Sequence, residues 1–375
     1  MSTRTRIVVL LAVATSGFAI AVVSLLRMLI PGFLDTLPGS LVGRLGTGVE
    51  LALSLTGALA VLGVTGFAVA MQRGRGGGAS ARAVRGASLL AAALVAVTMP
   101  GGVIPAAGYT FALTVILGIV VFVTLTVIRR PWLGIPLAGL VIGGLVFAAV
   151  NLEAAALPLR VVGALLGILP QVSLALAHVV AAAGLLIWVI ADGRSDHRAL
   201  AAFVHGHRTP ITLIAAACAL PYAVARASWL TPWPLFGGSA EMFAEDPSTR
   251  ATGLALGLAM LIGGLLTLGL ILPWGERFPR FLAGIGGRAV PPALAIIPAS
   301  VVSVLFTAAS AEFTLTGVGN AQESVYLLLV FPFWLWGPML GFAAWGYAMH
   351  RADSSRSRRS ARVAAEDRSI EVLDV

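Results

Sequence analysis

The chain has 375 residues, of which 58% are hydrophobic and only 11% are charged, and its formal net charge is +9. A soluble domain carries charge on roughly a quarter of its residues, so this composition excludes an ordinary globular protein and favours one that lies in a bilayer. Every basic residue is an arginine, and the arginines stand in short segments between apolar runs, which argues against a nucleic-acid-binding surface.

The apolar runs, taken in chain order, predict about ten membrane-spanning helices. A helix needs about 20 apolar residues to cross roughly 30 Å of hydrocarbon. The first run follows Arg4 and Arg6 and is too long for the core of a signal peptide, so we expect a retained helix. The fold class is therefore an all-α polytopic transmembrane bundle. The predicted spans are 7–30, 50–71, 86–105, 108–128, 133–153, 171–191, 210–230, 251–273, 290–309 and 325–349.

The arginines indicate which side of the membrane each connection occupies. Alternate connections, counted from the amino terminus, hold 20 arginines, whereas the opposite set holds only Arg44, Arg160 and Arg250. Short cytoplasmic loops collect basic residues. The pattern thus predicts a multi-pass protein of the plasma membrane with both termini in the cytoplasm. Residues 1–350 form the transmembrane domain, and the polar residues 351–375 are predicted to be a disordered basic cytoplasmic tail.

Two features of the connections refine this architecture. Residues 157–169 are apolar but too short to cross, which predicts a re-entrant or interfacial helix before the sixth span. Spans 1–4 and 7–10 recur at an offset of about 200 residues, and Arg27 and Arg226 each precede a long outer loop rich in proline and glycine. We therefore expect a parallel tandem repeat.

Prolines interrupt several of the predicted spans. Broken helices often flank the binding sites of transporters, but proline is also more frequent in membrane helices than in soluble ones. The interrupting prolines are Pro221, Pro298, Pro332 and Pro338, and Pro100 with Gly101 and Gly102 breaks the third span.

Five polar residues lie at similar depths in the outer half of the membrane by this topology. Snorkelling to the interface explains the arginines and the glutamate without any ligand. The histidine lies about 10 Å deep, where a hydrogen bond to a neighbouring helix is the simplest explanation. If the five converge, they form a cationic site with one carboxylate, suited to a phosphate, an organic anion or an anionic lipid headgroup. These candidate binding residues are Arg27, Glu153, His178, Tyr222 and Arg226.

Few other residues suggest chemistry. The sequence has no phosphate loop, dinucleotide fingerprint, zinc-protease motif or aspartate-rich motif, so we expect no cofactor. A single cysteine, Cys218, excludes an intramolecular disulfide and a cysteine-based zinc site. His197, His205 and His207 lie near Asp196, but a solvated cytoplasmic loop explains them better than a metal site. The expected partners are membrane lipids, and no nucleic acid is expected.

Several short motifs carry a resemblance to known sequences. They are Pro221, Tyr222, Arg226 and Trp229, then the run 274–280, then Gly287, Arg288 and 290–292, and finally 336–338 before the basic tail. In these motifs the chain resembles uncharacterised multi-pass membrane proteins of bacteria with GC-rich genomes. The resemblance implies no activity and no site residues.

Three classes of function remain open. Many spans, short loops and broken helices favour a transporter or a lipid- or anion-handling permease. The first alternative is a membrane scaffold or sensor without turnover. The second is a membrane-embedded transferase acting on a lipid-linked substrate, for which the outer loops offer few acidic residues.

Overall fold

In the computed structural model, the described part of the chain is helical and has no strand beyond two isolated bridges. The structure describes residues 3–34, 37, 39–72, 78–101, 120, 123–124, 126–151, 157–191, 198–245, 247–279, 286–316 and 321–373. This agrees with the predicted all-α fold class.

The helices begin and end as follows in the described residues. They are α1 (Thr3–Leu29), α2 (Thr47–Gln72), α3 (Gly78–Val97), α4 (Pro131–Asn151), α5 (Leu157–Ala191), α6 (Arg198–Gly206), α7 (Arg208–Ala217), α8 (Leu220–Ala227), α9 (Ala240–Glu245), α10 (Pro247–Thr267), α11 (Pro292–Thr316), α12 (Ala321–Val330) and α13 (Phe333–Leu373).

Seven helical stretches of the described residues are long and apolar enough to cross a membrane. They are Arg4–Leu29, Thr47–Met71, Leu169–Ile190, Arg208–Leu230, Gly253–Leu270, Pro292–Ser310 and Val325–Ser355. Each overlaps one predicted span. The predicted third and fifth spans fall on α3 and α4, whose apolar stretches are shorter. The predicted span 108–128 lies mostly outside the described residues, so the count of ten stays a prediction.

The fifth helix differs from its prediction. Residues 157–169 do not form a separate re-entrant or interfacial helix, because α5 runs unbroken through Pro170 to Ala191. Extending a helix costs less than starting a new one. In an apolar environment a proline is tolerated when neighbouring groups satisfy the freed backbone. A single helix of 35 residues is the result.

The last helix extends beyond its span. The candidate span ends at Ser355, but α13 continues to Leu373, across the tail for which the composition predicts disorder. A polar helix that packs against nothing is only marginally stable in water, and the part of α13 beyond Ser355 is polar. The prediction of a disordered tail therefore stays a prediction.

The described helices pack in two groups. In the first group, α1 packs against α2 and α5, and α3 packs against the same two helices. In the second group, α13 packs against α11 and α7, and α10 packs against α8. Contacts of α5 with α11 join the groups.

Small residues allow the helices to approach closely. A side chain at Gly17 of α1 would meet Val61 of α2, since its Cβ would lie 2.8 Å from the valine Cγ1. Between α11 and α13, the Ser303 hydroxyl donates to the Gly337 carbonyl oxygen over 2.6 Å. Close approach of this kind stabilises membrane helices, which have little hydrophobic driving force between them.

A folded connection joins α10 to α11 and is bonded to the middle of α13. Within it, Val290 N–H donates to the Glu276 carbonyl oxygen over 2.9 Å. The Tyr347 hydroxyl donates to the Gly275 carbonyl oxygen over 2.8 Å, and Nη2 of Arg351 donates to the Val290 carbonyl oxygen over 2.8 Å.

A side-chain pair completes this fastening. Nε2 of His350 lies 2.9 Å from Oε1 of Glu276. We call the set Gly275, Glu276, Val290, Tyr347, His350 and Arg351 the clasp.

Candidate functional site

The structure brings the predicted site residues together in two pairs. Arg27 and His178 line one cavity. Tyr222 and Arg226 contact each other and are not among the residues lining that cavity. Glu153 lies outside the described residues. The convergence of all five therefore stays a prediction, and each pair is described by itself.

The first pair belongs to a small polar cavity. It lies between α1, α2, the segment after α3, and α5, and its volume of about 10 Å³ is close to the minimum that one water molecule needs. We call it the polar cavity. Its lining is Val23, Ser24, Arg27, Glu50, Leu51, Ser54, Thr98, Pro100, Leu174 and His178.

The imidazole of His178 is the most deeply buried polar group of this cavity, with 1% of the residue exposed. Its Nδ1 lies 2.8 Å from the carbonyl oxygen of Leu174, one turn earlier in α5. A carbonyl oxygen only accepts, so Nδ1 carries the proton of this bond. Nε2 is buried and has no hydrogen-bond partner among the described residues. The predicted hydrogen bond to a neighbouring helix is replaced by one within α5. The lone pair of Nε2 is therefore available to accept a hydrogen bond or a proton.

Glu50 was missed by the sequence reasoning. It stands in the first turn of α2 and is only 5% exposed. Its Oε1 accepts a hydrogen bond of 2.9 Å from the backbone N–H of Ser40. A helix amino terminus also stabilises a carboxylate. No ion pair joins Glu50 to Arg27 among the described residues, although both line the cavity.

A signal for Glu50 was present in the sequence. It precedes Ser54 by four residues, so the two share one face of a mostly apolar helix. An acidic residue at the end of a span costs little, so this spacing alone does not indicate a buried carboxylate.

Hydroxyl groups extend the polar lining. The hydroxyls of Ser24 in α1 and Ser54 in α2 lie 2.9 Å apart in a buried hydrogen bond. Thr98, directly after α3, donates to the carbonyl oxygen of Leu94 in the last turn of that helix over 2.9 Å. Hydroxyls are common in membrane helices, so the sequence gives only a weak signal for these residues.

The end of α3 closes the polar cavity. The helix stops at Val97, shortly before Pro100, as the proline and glycines there predict. Gly101 N–H donates to the Gly39 carbonyl oxygen over 3.1 Å, and Nε2 of Gln171 donates to the Gly101 carbonyl oxygen over 3.0 Å. Non-helical backbone at this position is thus tied both to the segment after α1 and to α5.

The second pair belongs to an aromatic cluster around α8. The guanidinium carbon of Arg226 lies 4.8 Å from the ring centroid of Tyr222 and 4.1 Å from that of Trp229. Beyond Trp229, the ring of Phe243 lies 5.0 Å away, and the guanidinium of Arg250 lies 5.6 Å from Phe243. We call these five residues the aromatic cluster. Two guanidinium groups thus flank two rings whose planes are tilted by 54° to each other.

The backbone of α10 makes room for this cluster. Side chains at Gly253 and Gly257 would collide with Trp229 and Arg226 respectively. Nε of Arg226 is buried and has no hydrogen-bond partner among the described residues. The cluster therefore holds Arg226 by its ring contacts and by packing.

The described residues contain no group of three or more histidine, cysteine, aspartate or glutamate side chains that could hold a metal ion. Asp196 and His197 lie outside them, so the expectation of no metal site remains an expectation.

Comparison of the chain with protein-family models, with curated proteins and with solved structures finds no match. The resemblance to multi-pass proteins of GC-rich bacteria stays an expectation. The function is therefore inferred from the geometry of the polar cavity.

Proposed function

We propose that the protein is a proton-linked permease for a small anion, and that the polar cavity is its binding site. The observation that carries this proposal is the buried Nε2 of His178, without a partner, in the same cavity as the buried carboxylate of Glu50. Ionisable groups inside a membrane protein are costly and usually serve a substrate or ion pathway.

The cost of these groups argues for their use. Leaving a buried polar atom without a hydrogen bond costs about 1–3 kcal/mol, and an apolar residue of similar shape would avoid that cost. Among the described residues, the environment of His178 offers its Nε2 no compensating donor. A group that accepts a proton or a ligand in another state of the protein explains the arrangement.

Each lining group supplies part of the proposed chemistry. Nε2 of His178 and the carboxylate of Glu50 accept protons. The guanidinium of Arg27 keeps its positive charge and attracts an anion. A proton taken up by His178 or Glu50 adds positive charge to the cavity, so binding of the proton and of the anion favour each other.

The volume of about 10 Å³ corresponds to a closed state of such a permease. Entry of an anion requires the backbone around Pro100 to move away from the segment after α1. The bond between Gly101 and Gly39 and the bond between Ser40 and Glu50 would then break. We propose that these two bonds form the gate.

The remaining architecture is proposed on the same basis. Ten spans with both termini in the cytoplasm of a plasma membrane would place the cavity in the outer half, since Arg27 stands in the last turn of α1. The proposed tandem repeat gains some support, because Arg226 likewise stands in the last turn of α8.

Uptake into proteoliposomes tests the function. The purified full chain is reconstituted, a proton gradient with the acid side outside is imposed, and accumulation of labelled phosphate, succinate and glutamate is measured. We expect at least one anion to accumulate faster than in protein-free liposomes, and the gain to vanish when the gradient is collapsed. No accumulation of any of the three would overturn the proposal, as would accumulation that ignores the gradient.

A histidine pair provides the matched variants. His178→Asn removes the buried proton acceptor and is expected to reduce uptake to the level of protein-free liposomes. His207→Asn is the control, because His207 also contacts the carbonyl oxygen four residues earlier, at 2.9 Å, but is exposed. Equal uptake by the two variants would show that His178 is not required for uptake.

A sensor without turnover is the second candidate, and the small volume of the polar cavity favours it. A cavity of this size admits a proton or a water molecule without any rearrangement. A sensor would bind protons at His178 and Glu50 and change shape, yet it would accumulate no anion in the same assay.

A further inference from the structure

The peptide group between Gly39 and Ser40 makes both bonds of the proposed gate. Its carbonyl oxygen accepts a hydrogen bond of 3.1 Å from the backbone N–H of Gly101, and its N–H donates to Oε1 of Glu50 over 2.9 Å. Ser40 is 7% exposed and forms an isolated antiparallel bridge with Pro100. The two bonds therefore meet in one buried, planar group.

Hydrogen bonds that follow one another through a peptide group strengthen each other, because each bond polarises the group between them. A carboxylate that accepts the Ser40 N–H therefore makes the Gly39 carbonyl oxygen a better acceptor for Gly101. A hydrogen bond to an ionised acceptor is also roughly twice as strong as one between neutral groups. The negative charge of Glu50 thus contributes to both bonds of the gate, although its own oxygen makes only one of them.

The carboxylate of Glu50 is held closely from its other side. A Cβ at Gly43 would lie 2.8 Å from Oε2 of Glu50, and Gly43 belongs to the 3-10 turn Leu41–Leu45, which packs on α2. The Glu50 N–H donates to the carbonyl oxygen of Gly46, directly after this turn, over 3.0 Å. A glycine at position 43 therefore leaves the carboxylate just enough room to reach Ser40.

The charged groups around Glu50 do not replace this bond. Arg27 of α1 and His178 of α5 line the polar cavity with Glu50, whereas the end of α3 brings only Thr98 and Pro100 to that lining. The turn Leu41–Leu45 carries Arg44, which is exposed. Within the part of the chain that the structure describes, neither arginine forms an ion pair with Glu50. The charge of Glu50 is thus coupled directly to the gate and not to a fixed cation.

We propose that Glu50 is the residue through which proton binding opens the gate. This inference rests on the proposed permease function and deepens it. The ionised carboxylate holds the Ser40 peptide group and keeps the backbone near Pro100 against the segment after α1. A proton on Glu50 removes the charge, weakens both bonds of the gate and lets this backbone move away. His178 and Arg27 then face the entering anion, so His178 serves binding and Glu50 controls access.

The reactivity of a thiol placed in the polar cavity tests this proposal without measuring transport. In the full chain, Cys218→Ala removes the single native thiol, and Ser24→Cys adds a thiol at a lining position that is 4% exposed. Its rate of reaction with a negatively charged methanethiosulfonate is followed in detergent by the mass of the intact chain. Thr47→Cys, in the same background, provides an exposed thiol that corrects for the effect of pH on the reagent.

The measured quantity is the ratio of the Ser24→Cys rate to the Thr47→Cys rate. We expect this ratio to rise about tenfold from neutral to acidic buffer, as a charge-assisted bond becomes a neutral one. Adding Glu50→Gln, which keeps the shape of the side chain without its charge, should make the ratio high in both buffers. Adding His178→Asn should leave the acid response in place.

A second variant displaces the carboxylate without changing its charge. In Gly43→Ala the added methyl group would collide with Oε2 of Glu50, so the ratio should already be raised in neutral buffer. The matched control is Gly48→Ala, because a Cβ at Gly48 would meet no atom within 4 Å. It should behave like the parent chain. Each variant is compared only if it elutes as a single species, as the parent does.

Three results would overturn the proposal: a parent ratio that does not change with pH, an acid response that persists in Glu50→Gln, or one that is lost only in His178→Asn. The labelling also separates this inference from the permease function. If acid opens the cavity through Glu50 but no anion accumulates in proteoliposomes, Glu50 controls access in a sensor. If uptake is linked to protons but labelling does not depend on Glu50, the permease stands and Glu50 does not control its gate.

Discussion

The polar cavity and the clasp are two polar clusters in one apolar protein, the first buried and the second partly exposed, and their hydrogen bonding differs. In the clasp, Tyr347 and Arg351 bond to backbone carbonyl oxygens, and Glu276 pairs with His350. In the polar cavity, Nε2 of His178 has no partner among the described residues. A cluster whose bonds are made stabilises one arrangement of the helices. A cluster with an unused acceptor is suited to binding.

The contrast is one of degree. Arg208, which lies near Glu276 and Tyr347, also has a buried Nη1 without a partner among the described residues. The clasp nevertheless joins the connection between α10 and α11 to the middle of α13, by bonds of 2.8–2.9 Å between residues that are 61–74 positions apart. Variants that separate stability from uptake can test the distinction between the two clusters.

The largest expected effect is the loss of uptake in His178→Leu. Leucine removes the proton acceptor and the unpartnered atom together, and such a replacement is close to neutral or stabilising. Uptake should fall to the level of protein-free liposomes, while the free energy of unfolding in detergent should stay unchanged or rise by up to about 3 kcal/mol. A strongly destabilised variant would make His178 a structural residue like those of the clasp.

The second largest effect is expected in Tyr347→Phe, which should lower stability and leave uptake unchanged. The Tyr347 residue is 1% exposed, and its hydroxyl is the donor to Gly275 in the clasp. Without this hydroxyl the Gly275 carbonyl oxygen keeps only the longer bond of 3.4 Å from Nη1 of Arg351, so the loss should cost about 0.5–1.5 kcal/mol of unfolding free energy. Uptake per folded molecule should stay unchanged. If equal amounts of folded variant and wild type gave less uptake for the variant, the clasp would take part in transport.

The sequence alone predicts those features that are set within a single helix. Seven spans are visible as apolar runs because the hydrocarbon core imposes a length on each helix separately. Tyr222 and Arg226 could be paired from their spacing of four residues, since that spacing is a property of one helix. The ends of α3 and α7 are likewise marked locally, by Pro100 and Pro221.

The composition of the polar cavity could not be predicted in the same way. Arg27 and His178 drew attention as ionisable residues in apolar runs, but their meeting depends on which helices are neighbours in space. Glu50 was overlooked because the sequence does not show that its carboxylate is buried or what contacts it. What distinguishes Glu50 is the backbone N–H of Ser40, from a segment without helical periodicity. The sequence identifies ionisable residues in apolar spans more readily than it identifies the groups that contact them in the folded protein.

The smallest predicted effect concerns the hydrogen bond between Ser24 and Ser54, which could serve either helix packing or anion binding. The hydroxyls of Ser24 and Ser54 link α1 to α2 beside the polar cavity, yet they form a satisfied pair of the kind seen in the clasp. Hydrogen bonds between membrane helices contribute about 0.6 kcal/mol on average, so Ser24→Ala should lower the unfolding free energy by about that amount. If the hydroxyls only join the helices, uptake in Ser24→Ala will match the wild type. If uptake falls severalfold while stability is retained, the two hydroxyls contact the transported anion and belong to its binding site together with His178 and Glu50.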